Sequence, residues 1–109
     1  SFNPCSMAMM ARLAPGLPRG LVTDRFRRSD WPLVPARRRS ELAAIVDYER
    51  VDACFVSHDA DDLHSPHVAR LKTTGAAVLC WTIRTPAAEA EARHIADNIT
   101  FEGYMPATG

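Results

Sequence analysis

The chain carries no net charge, because its 13 Lys and Arg residues are matched by 13 Asp and Glu. That removes any overall electrostatic pull toward nucleic acid or an anionic membrane. It has no apolar run near the roughly 20 residues that span a bilayer. Its first residues lack the basic-then-apolar order of a secretory leader. Cysteine is scarce: Cys5, Cys54 and Cys80 are odd in number and widely spaced. No C-x-x-C pair exists, so neither a zinc knuckle nor a redox motif is supported. Cys54 and Cys80 sit inside apolar runs as small core residues do, and reduced thiols of this kind suit a cytoplasmic protein. The hydrophobic fraction of 47% and charged fraction of 24% are ordinary for a globular domain of 109 residues.

What is present is an alternation of short helices and short apolar strands. Asn3-Pro4 reads as an N-cap followed by proline at the first helical position. Met7, Met10, Ala11 and Ala14 then recur at helical spacing up to Pro15-Gly16. Gly20-Leu21-Val22 is a strand candidate. Residues 24–39 hold Arg25, Arg27, Arg28, Arg37, Arg38 and Arg39 around Pro32 and Pro35, and read as a loop for want of apolar periodicity. A helix is expected from Ser40, with Leu42, Ile45 and Val46 as its buried stripe. Ala53-Cys54-Phe55-Val56 is an unbroken apolar run of the kind that suits a parallel strand covered on both faces. A polar loop over 58–64 follows it. Ser65-Pro66 repeats the cap-then-proline start, and Val68, Leu71 and Gly75 complete a short helix with a glycine stop. Ala76 to Trp81 is the strongest strand. Thr85-Pro86 opens a further helix, expected to turn Ala88, Ala92, Ile95 and Ala96 inward, and Asn98 to Phe101 forms a last strand.

Repeated βα units of this kind mean an α/β fold with a parallel sheet. A TIM-barrel arc and an open doubly wound sheet both satisfy the pattern. In either, ligands bind at the carboxyl ends of the strands, and Trp81 stands at such an end.

Three segments resemble the glycerophosphodiester phosphodiesterase family. They are Ser1-Phe2-Asn3-Pro4, Trp81-Thr82-Ile83-Arg84-Thr85-Pro86, and the stretch from Asp97 to Pro106 with Phe101-Glu102-Gly103 inside it. Their order and spacing also agree, so the resemblance covers essentially residues 1–109. It implies the carboxyl-terminal half of a (β/α)8 TIM barrel whose parent hydrolyses glycerophosphodiesters to an alcohol and glycerol 3-phosphate in lipid metabolism. It further implies a divalent cation, Mg²⁺ or Ca²⁺, and two histidines as general acid and base. Phe2 and Trp81 match the aromatic positions that line the glycerol side of the site. The family's His-Arg-Gly strand, Glu-x-Asp metal pair, second His-Asp motif and Glu-x-Lys strand all lie ahead of its Ser-Phe strand. On this reading the catalytic residues and metal ligands are not in this chain, its partner is the missing amino-terminal half of the barrel, and these residues alone are inert.

Other features have plainer readings. Trp81 at the end of a buried strand also suits simple packing. His58-Asp59 looks like the family's catalytic pair but follows the Ser-Phe segment instead of preceding it, so a solvated loop is expected. His58, Asp59, Asp61, Asp62, His64 and His67 fit no compact metal geometry by spacing, and loops favour Asp for turns. The arginine run suits a solvated surface better than a nucleic-acid face, because the charge is balanced and only Trp31 could stack a base. Arg25 or Arg27 could instead hold a polar substrate, and Glu102 could stand at the barrel mouth. Half a barrel leaves open strand edges, which points to dimerisation or a companion segment. The alternatives are a non-catalytic half-barrel module that binds ligands or itself, and an unrelated α/β domain.

Overall fold

The computed structural model describes residues 1–106. Helix α1 (Pro4–Leu13) is followed by β1 (Gly20–Thr23), α2 (Ala36–Ala43) and β2 (Phe55–Asp59). A single 3-10 turn (Ala60–Asp62) leads into α3 (Pro66–Thr73), β3 (Ala77–Ile83), α4 (Pro86–Ala92) and β4 (Asn98–Phe101). The four strands form one sheet in the order β1-β2-β3-β4, and every pairing is parallel. A doubly wound sheet reverses its strand order at a switch point. The unreversed order seen here is that of a barrel arc.

Three helices start as the cap-and-proline pattern predicts. Asn3 accepts from the N–H groups of Cys5 and Ser6, Ser65 from His67 and Thr85 from Ala88, each with proline just inside the helix. These caps satisfy donors that the first turn leaves unpaired. The fourth helix departs from expectation. It runs over Ala36–Ala43 instead of starting at Ser40, begins at Pro35 without a side-chain cap, and buries none of its residues fully. The apolar stripe expected there is split: Ile45 is buried at the helix exit with φ of 56°, whereas Val46 is exposed. Burial of Ile45 offsets the cost of a left-handed backbone at a β-branched residue.

Strand residues of one parity, Leu21, Val56, Val78 and Cys80, pack against Val68, Leu71, Ala92 and Ala96 from the helices. The other parity, Val22, Phe55, Ser57, Leu79 and Trp81, is only half-buried. The apolar runs predicted cover on both faces. Among the described residues the helices supply it on one, as the inner face of a barrel arc requires. On α4 the inward residue is Glu89, not Ala88; its carboxylate accepts from Arg93 Nε at 2.8 Å and Tyr104 Oη at 3.0 Å. β2 also differs, running two residues later than its apolar run and taking in Ser57, His58 and Asp59.

Ser1 extends the sheet. Its carbonyl accepts from Val22 N at 2.9 Å and its amino group donates to Gly20 O at 3.3 Å. One residue bonding to the two positions flanking its opposite number is the parallel-ladder pattern. Ser1 therefore pairs beside β1 in the parallel manner, with α1 beginning just after it.

Cys80 lies in the middle of the core, fully buried, and burial pushes its thiol above the ordinary value of 9.0. An unfolded chain releases that proton near 9.0, while the folded chain keeps it to higher pH. The thiol's contribution is therefore fully present below the unfolded value and is lost as pH rises through the raised folded one. Thermal midpoints should hold level up to about pH 9 and then fall, and Cys80→Ala should flatten the fall. A slope unchanged in that variant would assign it to other groups.

Candidate functional site at the carboxyl ends of the strands

The carboxyl end of the sheet is aromatic. Phe2, next to Ser1 where it pairs with β1, meets Trp81 of β3 edge-on with ring centroids 5.8 Å apart. Its other side faces Trp31 at 5.3 Å and Phe26 at 6.2 Å, and Phe26 and Trp31 touch at 5.1 Å. Trp81 donates Nε1–H to Ser57 O on β2 at 3.0 Å. A polar anchor of this kind fixes the plane of a half-exposed indole. The two residues expected to line the site are thus brought together by the fold, from segments separated by most of the sequence.

Phe26 and Trp31 were not foreseen. They belong to the loop over residues 24–35, which coils around a buried carboxylate. Asp24 accepts from Phe26 N through Oδ1 and from Trp31 Nε1 through Oδ2 at 3.2 Å. Turns from Arg27 O to Asp30 N and Trp31 N tighten the coil. The available signal was an aromatic residue between prolines in a long loop directly after a strand, and such loops carry function.

His58 is not a loop residue. It is the fourth residue of β2, has 0% exposure, and faces the helices instead of the solvent. Its Nδ1 pairs with Thr23 Oγ1 at 2.6 Å and its Nε2 with Asp62 Oδ2 at 2.8 Å. Asp62 in turn lies 3.6 Å from Arg25 Nε, and Arg25 also donates to Asp61 O at 2.8 Å. Register explains the pairing, because Thr23 and His58 are directly opposite. Both imidazole nitrogens are used, so His58 makes no contact with a substrate head group. It ties the last residue of β1 to the turn after β2.

The remaining candidates are engaged at the rim. Arg27 sits 3.7 Å from Asp30, and Arg84 lies 3.5 Å from Glu102, all four exposed. Exposed pairs of this sort contribute little. Asp59 caps the 3-10 turn by accepting from Asp61 N at 3.0 Å. Among the described residues, no three His, Cys, Asp or Glu side chains come together in a way that would hold a metal ion. No described helix is long and apolar enough to cross a membrane.

Comparison with solved structures places this geometry. A glycerophosphoryl diester phosphodiesterase from Silicibacter pomeroyi, so called putatively in its own description, superimposes with a TM-score of 0.70 at 20% identity over 93% of this chain. A phosphodiesterase from Oleispira antarctica, solved with its product sn-glycerol 3-phosphate, superimposes with a TM-score of 0.64, again at 20% identity and 93% coverage. Both neighbours are TIM barrels. The chain has the fold of a barrel arc. It spans about a third of the neighbours' length, 32% and 36% respectively. No family model matches the sequence, and no curated protein matches it. The expected α/β barrel class stands.

Proposed function

We propose that this chain is the closing arc of a glycerophosphodiester phosphodiesterase acting in the cytoplasm in phospholipid turnover. The parent would add water to the phosphorus, break the ester bond to the alcohol, return a proton to that alcohol and release glycerol 3-phosphate. The observation that carries the reading is the Phe2–Trp81 contact at the carboxyl ends of the strands, in a chain whose structural neighbours are phosphodiesterases. In this reading the two rings wall the glycerol side of the pocket, giving carbon-bound hydrogens an apolar surface and excluding water from it.

The same reading makes these residues alone inert. The described residues offer no set of ligands for the divalent cation. The buried imidazole at the strand ends is committed to Thr23 and Asp62. The proton carriers and cation ligands would come from a companion amino-terminal part of the barrel. What this arc contributes is orientation and shape.

Glycerol 3-phosphate should give ligand-observed NMR transfer from the 109-residue chain that is lost in Trp81→Ala. The chain should release no choline from glycerophosphocholine with Mg²⁺ or Ca²⁺ present. Hydrolysis by the chain unaided would overturn the reading, and so would transfer that survives Trp81→Ala. The half-covered inner face and the exposed β4 edge favour a second reading, a non-catalytic half-barrel that pairs with itself. A solution mass of twice 12.0 kDa would support that one.

A further inference from the structure

In the helix layer, a cavity of about 440 Å³ opens between the exit of α2 and helix α3. Spaces of this size hold small organic ligands. None of its lining residues belongs to the aromatic group of Phe2, Phe26, Trp31 and Trp81. Its floor is Ile45 and Leu71, each 2% exposed. Glu49, His67 and Arg70 supply its polar groups.

The backbone explains how Arg70 is held there. Helix α2 ends at Ala43, and Ile45 turns the chain away with a φ of 56°. Helix ends leave carbonyls in need of donors, and the Ala44 carbonyl accepts from Arg70 Nη2 at 2.8 Å. That bond ties α3 to the exit of α2 and sets the guanidinium beside the cavity with its other N–H groups open. Although both line the same space, Arg70 and Glu49 form no ion pair with each other or with any other described residue. The His67 side chain is likewise without a partner among the described residues. A left-handed backbone at a β-branched residue is strained, and such strain gathers where ligands bind. An unmatched cation and an unmatched carboxylate above one apolar floor suit a ligand that carries both charges and an apolar body. A fatty acid would meet the Glu49 carboxylate with its own, and an amine would meet the Arg70 guanidinium.

We propose that this cavity binds a free apolar α-amino acid of about leucine's size as its zwitterion. The ligand carboxylate accepts from Arg70, with His67 as a second donor. The ligand ammonium donates to Glu49, and the side chain lies on Ile45 and Leu71. The proposal does not rest on the reading of Phe2 and Trp81, and it stands or falls separately from it.

Calorimetric titration of L-leucine into the 109-residue chain should show one site with a Kd of about 1 mM or tighter. L-leucinamide lacks the carboxylate and N-acetyl-L-leucine lacks the ammonium, so each should bind at least about tenfold more weakly. Glu49→Gln should weaken leucine by about tenfold at an unchanged thermal midpoint, because that carboxylate has no protein partner to lose. Glu49→Asp should recover part of the affinity. Arg70→Gln should weaken leucine by about tenfold as well, and Arg70→Lys by less. Should Arg70→Gln lose its native thermal transition, the Glu49 variants decide the matter. No leucine binding by the natively folded chain, equal affinity for leucine and either analogue, or a leucine affinity indifferent to Glu49→Gln would overturn the proposal.

Discussion

Arg19→Met should be among the most destabilising single changes in this protein, lowering stability by about 3 kcal/mol or more. The Arg19 side chain is 6% exposed and lies at the amino-terminal end of the sheet, away from the aromatic site. Its Nη2 donates to Ala14 O at 3.1 Å and Pro15 O at 3.0 Å, where α1 ends. Its Nη1 donates to Asp52 O at 3.0 Å and Val51 O at 3.4 Å, where the chain turns into β2. One planar fork thus satisfies four carbonyls from two segments, a geometry that lysine does not reproduce. The ion pair with Asp52 is a minor part, because that carboxylate is 88% exposed and screened by water. Methionine keeps the apolar stem and removes every donor, leaving carbonyls without partners. A fall in thermal midpoint on the order of 10–20 °C is expected, with Arg19→Lys in between and Asp52→Ala close to the parent. A midpoint within a degree or two of the parent for Arg19→Met would show that water replaces the fork without loss.

His58→Leu should cost about 2–4 kcal/mol, and Thr23→Val combined with it should cost less than His58→Leu alone. The reason is an asymmetry. Removing the imidazole leaves the Thr23 hydroxyl, itself buried, with nothing to bond. Removing both partners leaves apolar surfaces of similar shape. Asp62 keeps Arg25 as a neighbour and reaches water, so its loss is smaller. A double-mutant cycle by denaturant unfolding should return a coupling of about 1 kcal/mol or more between Thr23 and His58. Strictly additive costs would mean that the 2.6 Å contact contributes no net stability.

The two predictions concern residues that differ in how they could be read. Arg19 stands in sequence between Pro18 and Gly20 with nothing local to mark it. Its partners are at positions 14, 15, 51 and 52, and only chain reversal brings them within reach. His58 was placed in a polar loop because Ser57-His58-Asp59 breaks the apolar run. In the sheet, Thr23 supplies a partner directly opposite, so a polar residue continues the strand at little cost. Local polarity is a sound guide to exposure only where no cross-strand partner awaits. α2 shows the reverse fault: its arginine-rich sequence lacks an apolar stripe, yet it forms a helix over Ala36–Ala43 with ion pairs such as Arg38–Glu41 on its surface.

Within the site, Phe2 and Trp81 were legible because each belongs to a segment with a recognisable strand-to-helix signature, although β3 runs two residues past Trp81, to Ile83, where the sequence ended the strand at Trp81. Trp31 was not, since its position depends on a carboxylate seven residues earlier that is buried only after the loop has closed. The sequence by itself determined the alternation of elements, the three capped helix starts, the apolar strand cores and so the parallel sheet, because caps, prolines and apolar runs act over a few neighbouring residues. Only the tertiary structure decided the unreversed strand order, the burial of His58, the four-carbonyl clasp of Arg19 and the aromatic cluster around Phe2. Each of those depends on contacts between residues far apart in the chain, whose closure entropy is offset only when the whole sheet and its helices pack together.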